Sequence, residues 1–133
     1  MILKIDHIGI AVDNLDESII IYENLFGLKC RDIEIIAGQK VRAAFFDIGD
    51  TEIELLEAID SQGPIASFIS KRGQGIHHIA FNTDDIENFI IDSKMKGAKM
   101  IQDKPVYGAG GARTIFYNPK FTKGTLIELC QRK

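Results

Sequence analysis

Several features that would indicate particular classes of protein are scarce in this chain of 133 residues. Its two cysteines, Cys30 and Cys130, are too few for a disulfide framework, and we interpret both as small buried thiols. No apolar run approaches the roughly 18 residues of a membrane-spanning helix. The opening stretch MILKIDHIGIAV lacks the basic and long apolar regions of a secretory signal. These absences predict a cytoplasmic protein that does not act at a membrane.

Charge of one sign is not concentrated anywhere along the chain. Sixteen lysines and arginines stand against 19 aspartates and glutamates, for a net charge of −3 at pH 7. A basic run that would bind nucleic acid or an anionic membrane surface is lacking. The glycine-rich segment Gly108–Gly111 does not lie between a strand and a helix, so we expect a mobile loop near a site and not a phosphate-binding loop.

The chain does contain an internal repeat. Ile5–Ile10 returns 71 positions later as Ile76–Phe81, and Thr51–Leu55 returns 74 positions later as Thr125–Leu129. Each half has the pattern of a strand, a helix and three strands, and is too small to bury its own sheet face well. The two βαβββ halves are therefore expected to pack together.

These halves predict one α+β domain covering residues 1–133. The repeat modules span about 1–58 and 75–133, and the linker 59–74 is expected to hold a short helix that begins at Pro64. The strand-like runs that follow the helices are Lys29–Ile36, Val41–Ile48 and Thr51–Glu57 in the first half, and Lys99–Gln102, Arg113–Tyr117 and Thr125–Cys130 in the second.

The main helix of each half has start and stop signals. Asp13 and Asp84 are the expected N-caps, each followed three residues later by an acidic residue that would complete a capping box. Gly27 and Gly97 stand where a left-handed C-terminal residue is expected. The predicted buried faces are Leu15, Ile19, Tyr22 and Phe26 in the first helix, and Ile86, Phe89 and Ile90 in the second.

Four residues at matching positions of the repeat predict a metal site. His7 and His78 lie on the first strand of each half, and Glu54 and Glu128 lie on the last. Taken singly, each residue is better explained as a core histidine or as a glutamate on the solvent side of a strand. Together, one His and one Glu from each half would surround a common cation, which would account for carboxylates in apolar strands. His77 is excluded because strand alternation directs it away from His78.

The donor set limits the choice of metal. Two imidazoles and two carboxylates suit Co²⁺, Ni²⁺, Mn²⁺, Fe²⁺ or Zn²⁺ better than Ca²⁺. Four protein ligands leave two octahedral positions for water or substrate, whereas a closed tetrahedral zinc site would be structural.

Four stretches of the chain resemble the vicinal-oxygen-chelate superfamily, and within it most closely the methylmalonyl-CoA epimerases, with glyoxalase I a near relative. The stretches are Asp6–Val12, Gly49–Glu57, Gly75–Phe81 and Leu126–Gln131. The resemblance implies a cupped, mostly antiparallel, barrel-like sheet, a homodimer, and a single divalent ion, with Co²⁺ favoured, and Ni²⁺, Mn²⁺ or Zn²⁺ as alternatives. The resemblance also implies that the metal ligands are His7, Glu54, His78 and Glu128.

Some positions depart from the epimerase pattern. Glu54 stands where some epimerases carry Gln, and it is also the choice of glyoxalases. Ala43 stands where some epimerases carry a Glu proposed as a base, so that role has no counterpart here. The segment Asn118–Thr122 differs from the usual His-Pro-Lys-Ser. We therefore assign the two catalytic bases to Glu54 and Glu128, one from each half.

The resemblance implies three functions. The first is a metal-dependent epimerase that interconverts (2R)- and (2S)-methylmalonyl-CoA by removing the proton next to the thioester. The second is glyoxalase I, which acts on a hemithioacetal. The third is a metal-free resistance protein that sequesters a small molecule, and this is disfavoured because such a protein has no use for four ligands. The fourth ligand, Glu54, also argues against an oxygen-activating dioxygenase.

Overall fold

The computed structural model describes residues 1–132. By its internal contacts the chain divides into two compact units. The first unit is His7–His77, and the second consists of Met1–Asp6 and the chain from His78 onward. The chain passes between the units within two strands, β1 (Ile2–Ala11) and β5 (Gly75–Thr83), so each of these strands contributes residues to both.

The first unit contains the last residues of β1 followed by α1 (Leu15–Phe26), β2 (Cys30–Ile36), β3 (Val41–Ile48), β4 (Thr51–Ala58) and α2 (Pro64–Arg72). Its strands are hydrogen-bonded in the order β2-β3-β4-β1. The β2–β3 and β3–β4 pairs are antiparallel, and the β1–β4 pair is parallel. The strand that opens the repeat therefore lies beside the strand that closes it.

The second unit repeats this arrangement. After β5 it contains α3 (Ile86–Met95), β6 (Val106–Tyr107), β7 (Arg113–Phe116) and β8 (Ile127–Gln131). The order is β5-β8-β7-β6, with a parallel β5–β8 pair and antiparallel β7–β8 and β6–β7 pairs; β1 is the other neighbour of β5. The mixed helix and strand content and the mostly antiparallel pairing confirm the predicted fold class.

Each main helix covers one face of the strands of its own unit. Leu15, Ile19 and Tyr22 of α1 pack with a buried cluster that includes Phe46 and Leu55. Phe26, which was predicted to share this face, is 62% exposed. It lies in the last turn of α1, where its ring makes a T-shaped contact with Tyr22 at 5.5 Å between centroids. In the second unit, the corresponding cluster is Ile86, Ile90, Ile115 and Leu129 with Phe89 at its margin.

The helices end at the turn residues that the sequence predicts. Gly27 and Gly97 have positive φ angles of 64° and 95°, which a side chain would disfavour. The linker helix α2 begins at Pro64 and is followed by Gly73, with φ 78°. Among residues 1–132, no helix combines the length and the apolar character needed to cross a lipid bilayer.

The predicted N-caps were each one residue too early. Asn14 and Asp85, and not Asp13 and Asp84, accept a hydrogen bond from the third amide of the helix, at 3.0 and 3.2 Å. Each helix begins one residue later than expected, and before the first helix the Asp13 amide donates to the Gln74 side chain at 2.8 Å. The capping-box prediction, which required Asp13 and Asp84 as caps, is therefore wrong.

The predicted strand Lys99–Gln102 is also wrong. This segment makes one isolated bridge, Met100 to Tyr117, and the carbonyl of the Gln102 side chain accepts from the Phe116 amide at 2.9 Å. The Gln102 side chain thus takes the acceptor place that a backbone carbonyl would have in a β-ladder, and the pairing with β7 is interrupted there. The strand beside β7 is instead β6, which was not predicted.

The glycine-rich segment forms a short 3-10 turn, Ala109–Gly111, between β6 and β7. The Gly108 amide donates to the Ala112 carbonyl at 2.8 Å and closes the turn. As the sequence predicts, the segment lies between two strands, so it lacks the strand-to-helix setting of a phosphate-binding loop.

The corrected caps predict different costs for neighbouring substitutions. Asn14→Ala and Asp85→Ala should each lower the free energy of unfolding by about 1 kcal/mol, because each leaves a helix amide without its acceptor. Asp13→Ala and Asp84→Ala are the matched controls. The Asp84 carboxylate makes only an exposed ion pair with the N-terminal amine, so we expect changes within about 0.5 kcal/mol. Urea unfolding measures all four, and equal losses in caps and controls would contradict the assignment.

Candidate metal centre

His7 and Glu54 meet within the first unit because of the parallel pairing of β1 with β4. In this register Glu54 lies beside Gly9, two residues past His7, so both side chains project from the same face of the strands. The Nδ1 atom of His7 lies 3.2 Å from the Oε2 atom of Glu54. Both residues are buried, and Glu54 is only 3% exposed. Glu54 is therefore not a glutamate on the solvent side of an amphipathic strand.

His78 and Glu128 repeat this arrangement within the second unit. Glu128 lies beside Ala80 in the parallel β5–β8 pair, again two residues past the histidine. The Nε2 atom of His78 lies 3.9 Å from the Oε2 atom of Glu128, and the edge of the Phe116 ring packs against His78 with centroids 5.5 Å apart. Glu128 is 4% exposed. The same register thus produces a buried His–Glu pair in each unit.

The chemistry and spacing of each pair fit two ligands of one cation. Ligands bound at about 2.0–2.2 Å and roughly perpendicular to each other lie about 3 Å apart. The first pair matches this separation, and the second is somewhat wider. The residues beside the glutamates, Gly9 and Ala80, are small and leave their carboxylates uncrowded. A buried carboxylate requires compensation by a cation or hydrogen bonds, and an imidazole with a bound divalent ion would supply it.

His77 lies among different neighbours from His78. Its ring packs edge-on against Phe68 of α2 with centroids 5.1 Å apart, and the Arg72 guanidinium lies over the same Phe68 ring. Burial, and then the positive charge of Arg72, lowers the pKa of His77 to about 4. The imidazole is therefore neutral at physiological pH. These contacts belong to the packing of α2, which agrees with leaving His77 out of the ligand set.

A buried ion pair beside the first histidine was not foreseen. The carboxylate of Asp6, which is almost wholly buried, accepts two hydrogen bonds from Arg132, at 2.9 and 2.6 Å, and one from Asn82 at 3.3 Å. Such a bidentate pair fixes the middle of β1 to the C-terminal end of the second unit. Asp6 occupies the repeat position of His77, so the repeat itself gave no reason to expect an Arg partner 126 residues away.

The two cysteines differ in exposure. Cys130 is fully buried, and burial together with the nearby Asp6 and Glu128 carboxylates raises the pKa of its thiol. Cys30, which was also expected to be buried, is partly exposed, and its Sγ lies 3.4 Å from the Asp32 carbonyl. Its strand, β2, is the outer strand of the first unit, which explains the exposure. Both thiols are free.

The positions that depart from the epimerase pattern have structural roles. Ala43 is completely buried on β3, opposite Leu56, and offers no proton acceptor. Asn118 caps the short 3-10 turn Pro119–Phe121, where its side chain accepts from the Lys120 amide at 3.0 Å. The Asn118–Thr122 segment is therefore a local turn closed by its own side chain.

Comparison with known proteins identifies the family. Residues 6–116 match the family model described as "Glyoxalase/Bleomycin resistance protein/Dioxygenase superfamily". This range includes His7, Glu54 and His78. The chain belongs to this superfamily. The resemblance seen in the four sequence stretches is thereby confirmed. Members of the superfamily commonly bind a divalent metal ion, and the described residues include buried His, Cys, Asp and Glu groups able to hold one.

The relatives include epimerases of malonyl-CoA derivatives. The chain is 37% identical to an uncharacterized Bacillus subtilis protein, with 98% of this chain and 93% of the relative covered. It is 33% identical to the ethylmalonyl-CoA/methylmalonyl-CoA epimerase of Cereibacter sphaeroides, with 98% and 99% covered. A Streptomyces coelicolor methylmalonyl-CoA epimerase variant in complex with 2-nitronate-propionyl-CoA matches with a TM-score of 0.93 at 34% identity, covering 98% of both chains. The chain is an enzyme of the epimerase type, an isomerase.

Proposed function

We propose that this enzyme interconverts (2R)- and (2S)-methylmalonyl-CoA, and that one divalent metal ion is held by all four residues of the two His–Glu pairs. The observation that carries the proposal is the strand register that both units share. In each unit the buried glutamate pairs with the residue that lies two positions after the histidine, which is Gly9 for Glu54 and Ala80 for Glu128. The acyl-CoA substrate is taken from the epimerases that the chain is similar to.

The chain crosses between the two units at two points. The chain leaves the second unit between Asp6 and His7, and returns to it between His77 and His78. Both proposed histidine ligands therefore stand directly beside a point where the chain crosses from one unit to the other.

The proposed chemistry uses the two carboxylates as acid and base. A bound ion would act as a Lewis acid and stabilise negative charge on the thioester oxygen of the substrate. The Glu54 carboxylate takes the proton from the carbon next to the thioester, and the electron pair of that C–H bond moves toward the thioester carbonyl. Glu128, in its acid form, returns a proton to the opposite face. For the other enantiomer the two exchange roles.

Burial favours these carboxylates as proton carriers. Both lie among apolar strand neighbours and are at most 4% exposed, so bulk water does not compete for the transferred proton. Ala43, by contrast, has no ionisable group. Two carboxylates from different units can serve opposite faces of one planar intermediate, which the epimerisation of a single carbon requires.

Metal identity, location and assembly complete the proposal. Co²⁺ is the favoured ion, with Ni²⁺, Mn²⁺ or Zn²⁺ as alternatives for a set of two imidazoles and two carboxylates. The free thiols of Cys30 and Cys130 suit a reducing cytoplasm. We also infer a homodimer, which light scattering of the purified protein would test.

The function predicts exchange of one substrate proton with solvent. Incubation of the Co²⁺-loaded enzyme with (2S)-methylmalonyl-CoA in deuterated water should give the (2R) form with deuterium at the α-carbon, followed by NMR and mass spectrometry. Methylglyoxal mixed with glutathione is the parallel arm for glyoxalase I. Turnover of the hemithioacetal without epimerisation would favour that alternative, and binding without turnover of either would favour a sequestering protein.

The ligand assignment predicts loss of metal on removal of either histidine. His7→Ala and His78→Ala should each abolish both stoichiometric Co²⁺ binding and epimerisation, since each removes a nitrogen ligand from a buried site. His77→Asn is the matched control, because His77 packs against Phe68 and should be dispensable for binding. Elemental analysis and Co²⁺ absorption measure occupancy. Full occupancy in a ligand variant, or loss of metal in the control, would contradict the assignment.

The base assignment predicts a separation of metal binding from turnover. Glu54→Gln and Glu128→Gln keep an oxygen ligand but lose the proton acceptor, so each should retain most of its metal and lose turnover by roughly 10²–10⁴-fold. Deuterium exchange measured separately from net epimerisation would show which proton transfer each variant lacks, because the two faces are served by different residues.

Full activity of Glu54→Gln would reduce Glu54 to a ligand. The second base would then be sought at Glu34, which lies directly opposite Ala43 in the β2–β3 pair. Asp47 is a weaker candidate because its carboxylate is held by Arg31 at 3.0 Å.

A further inference from the structure

The first amide of each main helix is bonded to a side chain from the last strand of the same unit. The Leu15 amide donates to the Oε2 atom of Glu57 at 2.7 Å, and the Ile86 amide donates to the Oε1 atom of Gln131 at 3.0 Å. Leu15 and Ile86 are both 0% exposed, so water is not at hand to replace these acceptors. The N-caps are already engaged with the third amide of each helix, and a separate acceptor is needed for the first.

The two bonds occupy equivalent places in the units. Glu57 lies three residues after Glu54, and Gln131 lies three residues after Glu128. An odd spacing along a strand puts each of these side chains on the face opposite its glutamate, toward the helix. Each last strand therefore has a proposed metal ligand on one face and a bond to a helix start on the other.

The helix start, in turn, is a fixed distance along the chain from the histidine. Leu15 lies eight residues after His7, and Ile86 lies eight residues after His78. In each unit these links form a closed ring. The chain runs from the histidine to the start of the helix, and the hydrogen bond joins that helix start to the last strand. The last strand in turn carries the glutamate, whose side chain lies near the histidine. In the first unit the β1–β4 ladder reaches its end at the Val12 amide, which donates to the Leu56 carbonyl at 2.9 Å, and the Glu57 bond follows directly.

We propose that Glu57 and Gln131 are positioning residues that hold the first and last strands of each unit in the register at which histidine and glutamate can bind one metal ion. This inference rests on the proposed metal-dependent function. Each acts by fixing where its strand ends relative to the helix that follows the histidine.

The two positioning residues differ in a way that their surroundings explain. The Glu57 carboxylate also lies 3.4 Å from the Arg42 guanidinium, which pairs with Asp16 at 2.9 Å, so a negative charge is favoured there. The Gln131 side chain uses its amide nitrogen to donate to the Asp84 carbonyl at 3.0 Å. A carboxylate cannot make this second bond, and it would stand beside a carbonyl oxygen.

Because of this difference, the conservative substitutions Glu57→Gln and Gln131→Glu are expected to have different effects on the hydrogen bonds. Glu57→Gln keeps the acceptor for the Leu15 amide, whereas Gln131→Glu keeps the acceptor for Ile86 but loses the donor to Asp84. Glu57→Ala and Gln131→Ala lose the acceptors altogether. Glu23→Ala is the matched control, because the Glu23 carboxylate also accepts from a backbone amide, that of Cys30 at 3.1 Å, outside both rings.

Two measurements on the purified full-length variants test the proposal. Amide hydrogen exchange of Leu15 and Ile86, followed by NMR without metal, reports the bonds directly, and Co²⁺ titration reports the ligand geometry. The alanine variants should speed exchange at the affected amide by at least about 10-fold and weaken Co²⁺ binding by about 10–100-fold, the range typical of residues that orient metal ligands. Glu57→Gln should restore Co²⁺ affinity to within about 3-fold, and Gln131→Glu should not.

The outcomes separate this inference from the proposed function. Unchanged Co²⁺ affinity in both alanine variants, or an equal loss in Glu23→Ala, would overturn the positioning role while leaving the metal site intact. If the alanine variants do not fold, the comparison of Glu57→Gln with Gln131→Glu tests the proposal instead. Equal Co²⁺ affinities in these two variants would overturn it. Absence of Co²⁺ binding by the unaltered protein would instead overturn the proposed function, and the positioning role with it.

Discussion

The parallel pairing of the first and last strands of each repeat is the constraint on which the remaining features depend. A parallel pair lets a residue early in one strand and a residue late in the other project from one face at a fixed spacing. Glu54 beside Gly9 and Glu128 beside Ala80 are two instances of one register. A slip of one residue would turn each glutamate toward the helix side, where Leu55 and Leu129 now pack.

The energetics of charge burial connect this register to the proposed chemistry. A carboxylate in an apolar strand costs free energy unless a cation or hydrogen-bond donors compensate it. The low dielectric that causes the cost also strengthens the interaction of Glu54 and Glu128 with a bound cation or a transferred proton. The same placement that makes these residues unfavourable for stability alone therefore suits them to bind metal and to carry protons.

The two repeats share the spacing of their residues along the strands and helices, but the residue types at equivalent positions differ according to their local contacts. Asp6 and His77 are equivalent in the repeat, yet Asp6 is bound by Arg132 and His77 packs against Phe68. Glu57 and Gln131 differ in charge but both bond the first amide of a helix. The repeat thus preserves spacing and hydrogen-bond direction, while the residue at each place follows the charges around it.

Local patterns in the sequence were sufficient for the repeat, the fold class and the helix ends at Gly27 and Gly97, because each depends on spacing along the chain. The same spacing is the basis on which four metal ligands are proposed. The sequence also excluded His77 from that set, through strand alternation alone. It could not separate Asn14 from Asp13 as a cap, since both are good capping residues. Nor could it exclude a strand at Lys99–Gln102, where a glutamine side chain interrupts the ladder.

Contacts between distant segments are seen only in the folded chain. The ion pair of Asp6 with Arg132, and the bonds that Glu57 and Gln131 accept from helix amides, join residues 42 to 126 positions apart. No periodicity links such positions, because hydrogen bonds between separate elements depend on where the strands stop and which faces meet. Spacing along the chain therefore shows which residues repeat, whereas folding determines what each of them contacts.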